Sequence, residues 1–446
     1  MRMRRAAFLL AMGTLLGSAQ AAPAADTPEG LSPAEAVMKR TVEAQYEQSV
    51  TLLQKLVDQN SGTMNLKGVA VVGTMMRAEL TALGFTVEWK PMDKVGRAGH
   101  LIATHKGLAG RKRILLIGHL DTVFEADSPF QKFVRTGDMA AGPGAGDDKG
   151  GMVVIVAALR AMKAAGTLDA ANIEIVLTGD EEDAGFPHTI ARADLIAAGK
   201  RADVALDFEG LVTENGRDMG SVARRSAIDW TLRTTGKTGH SSLIFTPEFG
   251  DGAINEMARI LAAFRAQLPE PNLTFNTGLI AGGAVTKLED DGGHASATGK
   301  TNVIPATAVA TGDYRTLSEE QTRRVRAKME RIVADHAPGT NATIEFGEGY
   351  PAMAPTDGNK ALLAALNLIN RDLGLAEMPP LDPLKRGAGD ISFVASDVDS
   401  LAGLGTLSNG DHTPAEKVDL SSIRRQAARA AILMSRLAAQ RSAKAG

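Results

Sequence analysis

The chain contains no cysteine, so it needs no disulfide and cannot bind a metal through thiolates. Any metal must be held by His, Asp and Glu. Aromatic residues are few in an otherwise ordinary globular composition rich in Ala and Gly. Positive charge is not in excess: the formal net charge is −3, which argues against a nucleic-acid partner. Beyond the first residues no apolar stretch approaches the length of a transmembrane helix, so no membrane partner is expected of the mature chain. Internal repeats and low-complexity tracts are not evident.

What is present begins at the start. Met1-Arg2-Met3-Arg4-Arg5 precedes the apolar run Ala6 to Leu16 and then Ser18-Ala19-Gln20-Ala21. A charged segment, an apolar segment too short to span a bilayer and an Ala-x-Ala site read as a cleavable export signal. Cleavage after Ala21 would remove three Arg, moving the net charge from −3 to about −6, and would place the protein in the periplasm or outside the cell. The length of 446 residues predicts two or three domains.

Periodicity predicts helix from about 32 to 59, with Val50, Leu52, Leu53 and Leu56 on one face, and again from 68 to 83. A strand follows at 85–90. Segments 101–105 and 113–117 read as a strand pair, the second apolar enough to be central in a sheet buried on both faces. A helix at 152–165 and strands at 173–177 and 202–208 complete an α/β alternation, whose ligand site lies at the strands' carboxyl ends. After about residue 225 the order becomes β-α-β-β-α-β, that of a ferredoxin-like unit. From 351 the chain is helical again and ends in a helix at 420–439. The second unit is therefore an insertion: 22–224 and 348–446 form one domain, 225–347 the other, and 1–21 the signal.

Glu181-Glu182 is the sharpest chemical feature. Two adjacent carboxylates at a strand's end repel, and one is driven toward protonation unless a cation intervenes. One binding a metal while the other handles a proton would explain the pair. His119-Leu120-Asp121 lets His119 bind metal while Asp121 orients the ring from behind. Gly142-Pro-Gly-Ala-Gly-Asp147-Asp148-Lys149-Gly-Gly151 opens a helix but lacks the Gly-Lys-Ser/Thr ending of a phosphate loop. One of its two Asp could simply cap the helix; a bridging carboxylate explains both. Glu209, with Asp207 as its rival, and His412 in Gly410-Asp411-His412 complete the candidates. Each taken singly also has an ordinary reading as a capped or solvated loop. His240, in Gly236-Lys-Thr-Gly-His240-Ser, follows the first strand of the inserted unit. His100, His105, His188, His294 and His336 have no such companions and read as structural.

Taken in order, His119-x-Asp121, Asp147-Asp148-Lys149-Gly-Gly, Asp180-Glu181-Glu182, Phe208-Glu209, Gly-Lys-Thr-Gly-His240-Ser and Asp411-His412 resemble the M20 metallopeptidases. The likeness is to the secreted glutamate carboxypeptidase group. It also covers Ser61-Gly62-Thr63, Asn302-Val-Ile-Pro305 and Asp313-Tyr314-Arg315. The resemblance implies a mixed-sheet, zinc-exopeptidase-like α/β catalytic domain with an inserted ferredoxin-like α+β lid and dimerisation domain. It implies two zinc ions, replaceable by cobalt or manganese, with Asp147 bridging, His119 and Glu209 completing one site, and Glu182 and His412 the other. Glu181 would be the general acid/base, acting on a water held between the metals. His240 would reach the site of the other subunit of a homodimer, and Asn302 and Arg315 would contact substrate or lid.

Two departures stand out. The loop after Glu182 reads Asp183-Ala-Gly-Phe-Pro-His188 and looks longer than is usual. Glutamate-specific relatives place an Arg near the lid's end, where this chain has Tyr350, which cannot give Arg's bidentate charged contact. Lys385 or Arg386 could substitute. The expected reaction is hydrolysis of an amide bond beside a free carboxylate, in small peptides or N-acyl amino acids. Carboxypeptidase, dipeptidase and N-acyl-amino-acid amidohydrolase all fit, and the rival of another class is a non-catalytic peptide-binding relative.

Overall fold

A computed structural model describes residues 30–289 and 292–444; the signal expected at 1–21 lies outside them. The strand Arg113–His119 is interior to a six-stranded sheet because Ile114, Leu115, Leu116 and Ile117 are apolar toward both faces, and all four are fully buried. Each such side chain contributes about 1.5–3 kcal/mol by leaving water. Across the sheet the order is Thr86–Met92, Arg97–His105, Asn172–Thr178, Arg113–His119, Val204–Asp207 and Ser400–Leu401. The last four run parallel and Arg97–His105 runs antiparallel to both of its neighbours, so the sheet is mixed, as expected.

The expected pairing of 101–105 with 113–117 does not form. Asn172–Thr178 lies between them, hydrogen-bonded to both. Its Ile173, Ile175, Val176 and Leu177 are apolar on both faces, so it takes an interior place that strands adjacent in sequence would otherwise share. The single helix expected over 32–59 is two, Pro33–Ala44 and Tyr46–Asp58, interrupted at Gln45. Ser32 and Glu35 cap the first reciprocally.

Lys149–Ala164 packs against this sheet and against the helices Pro33–Ala44 and Ser421–Ala438. It is apolar nearly all round, which suits a helix covered on all sides. Arg436, on the final helix, bonds Glu35 and Asp372, so the tail returns to the first sheet's unit.

A second sheet runs in the order Thr274–Gly283, Thr307–Arg315, Ile228–Gly236, Thr340–Phe346, antiparallel throughout. Helices Ala253–Gln267 and Glu319–Ala334 pack against it. This is the ferredoxin-like arrangement, and its core of Trp230, Met257, Ile260, Phe264 and Val325 is separate from that of the first sheet. The two segments that cross between the sheets lie side by side. Arg224 and Met353 exchange main-chain hydrogen bonds of 2.9 Å, and Ala227 and Tyr350 exchange a second pair. Among the described residues no helix is long and apolar enough to cross a membrane.

Candidate active site

Three parallel strands deliver their carboxyl ends to one place. His119 ends Arg113–His119, Glu181-Glu182 follow Asn172–Thr178, and Glu209 follows Val204–Asp207. Asp147 arrives from the glycine-rich loop ahead of Lys149–Ala164, and His412 from the loop after Leu407–Asn409.

Asp147 stands between two imidazoles. One carboxylate oxygen lies 3.0 Å from His119 Nε2 and the other 3.1 Å from His412 Nε2. His412 Nε2 is also 3.2 Å from the Glu182 carboxylate. Donor atoms of His119, Asp147 and Glu182 all fall within 4.8 Å of one another, a group able to hold a metal ion. Asp121 approaches His119 Nδ1 at 3.3 Å with its carboxylate and 3.1 Å with its carbonyl. It does more than orient that ring: its two oxygens accept the main-chain N–H of Glu181 at 3.0 Å and of Glu182 at 3.1 Å. Thr63 Oγ1 donates to the same carboxylate at 2.6 Å. One buried aspartate therefore sets the histidine and the glutamate pair together.

The electrostatics favour a cation. Burial, then the charge of Glu209, pushes the Glu181 carboxyl well above its usual range, with Asp390 and Glu182 adding to it. Burial also raises Glu182, against a hydrogen bond from His412. Burial opposes charge on His119, yet hydrogen bonds to Asp121 and Asp147 hold its pKa well above the ordinary value. The hydrogen bonds to Asp147 and Glu182 push His412 up to about 11. Crowded carboxylates that trap protons on both imidazoles are what a divalent cation relieves.

The capping alternative for the aspartate pair fails. Asp148 stands at the helix N-cap without a side-chain cap bond; its Oδ2 instead accepts the His119 N–H at 3.1 Å, and Oδ1 has no hydrogen-bond partner. Gly151 lets this happen, since a Cβ there would sit 2.1 Å from Asp148 Oδ1 and 2.0 Å from the Phe208 carbonyl. Glu416 escaped the sequence reading. It is buried and accepts the N–H groups of Gly144, Gly146 and Asp147, holding the glycine loop in shape. Its only sequence cue is its place four residues after His412. Buried Lys149 braces the loop from the other side through the carbonyls of Gln59 and Pro143.

Glu209 lies 2.7 Å from Arg224 and 3.1 Å from Arg386, while Asp207 lies 3.2 Å from Arg224. Both members of the 207/209 alternative are thus arginine-paired. Lys385 turns away to Glu214. The Tyr350 hydroxyl is engaged by Arg192 and by the Glu181 carbonyl, each at 2.9 Å. On the second sheet's unit His240 is exposed, its ring bonded to Ser242, and Ser241 N donates to the Asn302 carbonyl, so His240 and Asn302 share one end. Arg315 pairs with Asp313. Among the described residues, no hydrogen bond joins His240, Asn302 or Arg315 to the His119–Asp147–Glu182 group. His100, His105 and His188 bond main-chain carbonyls, in keeping with structural roles.

A mixed α/β sheet that gathers imidazoles and carboxylates at its parallel strand ends defines a metallohydrolase. Residues 115–436, most of the chain, match the peptidase family M20/M25/M40, and the chain belongs to that family of metal-dependent peptide hydrolases. It is 30% identical over 399 residues to carboxypeptidase G2 of Pseudomonas sp. (strain RS-16), covering 87% of this chain and 89% of that one. It is 28% identical over 309 residues to a succinyl-diaminopimelate desuccinylase of Novosphingobium aromaticivorans, covering 68% and 77%. The fold is similar to that of the Bacillus subtilis protein YXEP, a dinuclear metal-binding peptidase, with a TM-score of 0.59 at 15% identity over 88% and 98% of the two chains.

Proposed function

We propose that the chain is an exported two-zinc exopeptidase that hydrolyses an amide bond beside a free carboxylate in small peptides or N-acyl amino acids. The observation that carries this reading is the position of Asp147, with one oxygen toward His119 and the other toward His412. Two imidazoles with carboxylates and no thiolate suit zinc, with cobalt or manganese as substitutes. Asp147 would bridge, His119 and Glu209 would hold one ion, and Glu182 and His412 the other. Glu209, or Asp207 in its place, would serve as a ligand in exchange for its arginine contacts. Bound metal polarises the scissile carbonyl and acidifies water.

The chain's own residues divide the remaining work. Glu181 takes a proton from the attacking water and delivers it to the leaving amine. Asp121 keeps Glu181 and Glu182 in register with His119. Residues 225–347 act as a lid and as the contact with a second copy, to which they lend His240 for the developing oxyanion. Asn302 and Arg315 contact the substrate or the closed lid. Arg386 stands nearer the site than Lys385 and is the better candidate for the substrate carboxylate. Likeness to carboxypeptidase G2 and to a dinuclear peptidase supports this reading, and the desuccinylase relative favours a second one, an N-acyl-amino-acid amidohydrolase. A non-catalytic peptide binder would lack a ligand or the base, and all are present.

The test is hydrolysis of a panel of dipeptides and N-acyl amino acids alongside metal analysis of purified protein. Activity that survives complete chelation, or Glu181→Gln with near wild-type turnover, overturns the reading.

A further inference from the structure

We infer that Tyr350 is a positioning residue for Glu181, tying the general acid/base to the two segments that join the lid to the catalytic sheet. The inference rests on the function proposed above. Tyr350 lies on one crossing segment, where it exchanges main-chain hydrogen bonds with Ala227 on the other. From there its side chain reaches back to the site. The hydroxyl donates to the Glu181 carbonyl at 2.9 Å and accepts from Arg192 Nη2 at 2.9 Å.

Arg192 is an unusual anchor for a hydroxyl. It is fully buried, and its guanidinium also bonds the Asp180 carboxylate at 2.6 Å, the Asp180 carbonyl at 3.0 Å and Asp390 at 2.7 Å. Asp390 in turn accepts from Thr178 Oγ1 at 2.5 Å. A buried guanidinium stays only where its donors are satisfied, and here they are spent on the turn from Thr178 to Glu181. The Glu181 residue is then gripped from two sides. Asp121 holds its N–H, and Tyr350 holds its C=O. Of the two, only Tyr350 belongs to a crossing segment. The same ribbon carries Arg224, which bonds Asp207 and Glu209, so both crossing segments send a side chain to the strand ends. Tyr350 therefore spends its hydroxyl on the main chain of the enzyme's own base.

Tyr350→Phe removes the hydroxyl and keeps the ring, which packs edge-on against His188 and Phe393. Losing one hydrogen bond of this kind corresponds to about a ten-fold effect. The expected result is kcat lowered about ten-fold per metal-loaded enzyme, with KM within about two-fold of wild type and unchanged metal content. In the metal-free protein, amide hydrogen exchange across 179–183 is expected to quicken while exchange in Arg113–His119 does not. Wild-type kcat with unchanged exchange, or a loss wholly accounted for by missing metal, overturns the inference. The two readings fail separately: Glu181→Gln that still turns over sinks the function, whereas an inactive Glu181→Gln beside a fully active Tyr350→Phe sinks only the positioning role.

Discussion

His119 and His412 face the two oxygens of one aspartate, yet the first side chain is 2% exposed and the second 56%. His119 ends an interior strand, with its ring bonded to Asp121 and its N–H to Asp148. His412 sits in a loop with a left-handed φ of 62°, held mainly by its ion pairs. One half of the site is built by the fold before anything binds. The other is assembled by a loop at the solvent edge. Groups placed on regular elements hold tighter geometry than groups on loops, so the two halves should fail differently.

Asp147→Ala removes what the halves share and should give the largest effect. Loss of the shared carboxylate is expected to cost at least about 10³-fold in kcat/KM, with metal content falling in both halves. Metal lost from one half alone would break the symmetry assigned to Asp147. Next, His119→Ala should destabilise the metal-free protein by about 3 kcal/mol, because it takes its charged partner from fully buried Asp121 and leaves Asp147 with His412 alone, whereas His412→Ala should cost less than about 1 kcal/mol. Urea unfolding of the two variants checks this, and equal losses would erase the contrast. Asp121→Asn, which leaves the shape but weakens the hold on His119, should lower metal affinity about 10–100-fold, measured by competition with a chelator.

The smallest effect is a matter of protons. His412 has a folded-state pKa raised to about 11, so in the metal-free protein it is charged at neutral pH. Its contribution to stability is fully present below about 6.5 and is lost as pH rises through the folded value. Metal must displace that proton, so affinity should rise with pH, and calorimetry at pH 8 in buffers of different ionisation enthalpy should show about one proton released by this half.

The residues proposed as ligands were legible because each follows a strand or a glycine-rich turn with its own local signal. His119, Asp147, Glu182 and His412 meet as their motifs implied. What escaped were charges whose meaning depends on a partner far along the chain. Glu416 reads as a solvated loop acid until the glycine loop folds over it. Arg192 and Arg224 look like surface arginines in a line of text, yet both are buried. Tyr350 was visible as a departure, but its use in bonding Glu181 was not. Strand order failed for a related reason, since neighbours in sequence suggested a pair that a more apolar strand displaced.

The second sheet is drawn from one continuous stretch, 228–346, while the first takes strands from both sides of it, with Ser400–Leu401 beside Val204–Asp207. That asymmetry has a consequence for the order of folding. The inserted unit can fold from contacts within its own stretch, whereas the sheet bearing the metal site must close a loop around it. His119 and His412 can therefore meet only after the intervening unit is made. A chain caught midway already carries His119, Asp147, Glu182 and Glu209, and His412 is the last of the proposed ligands to join them.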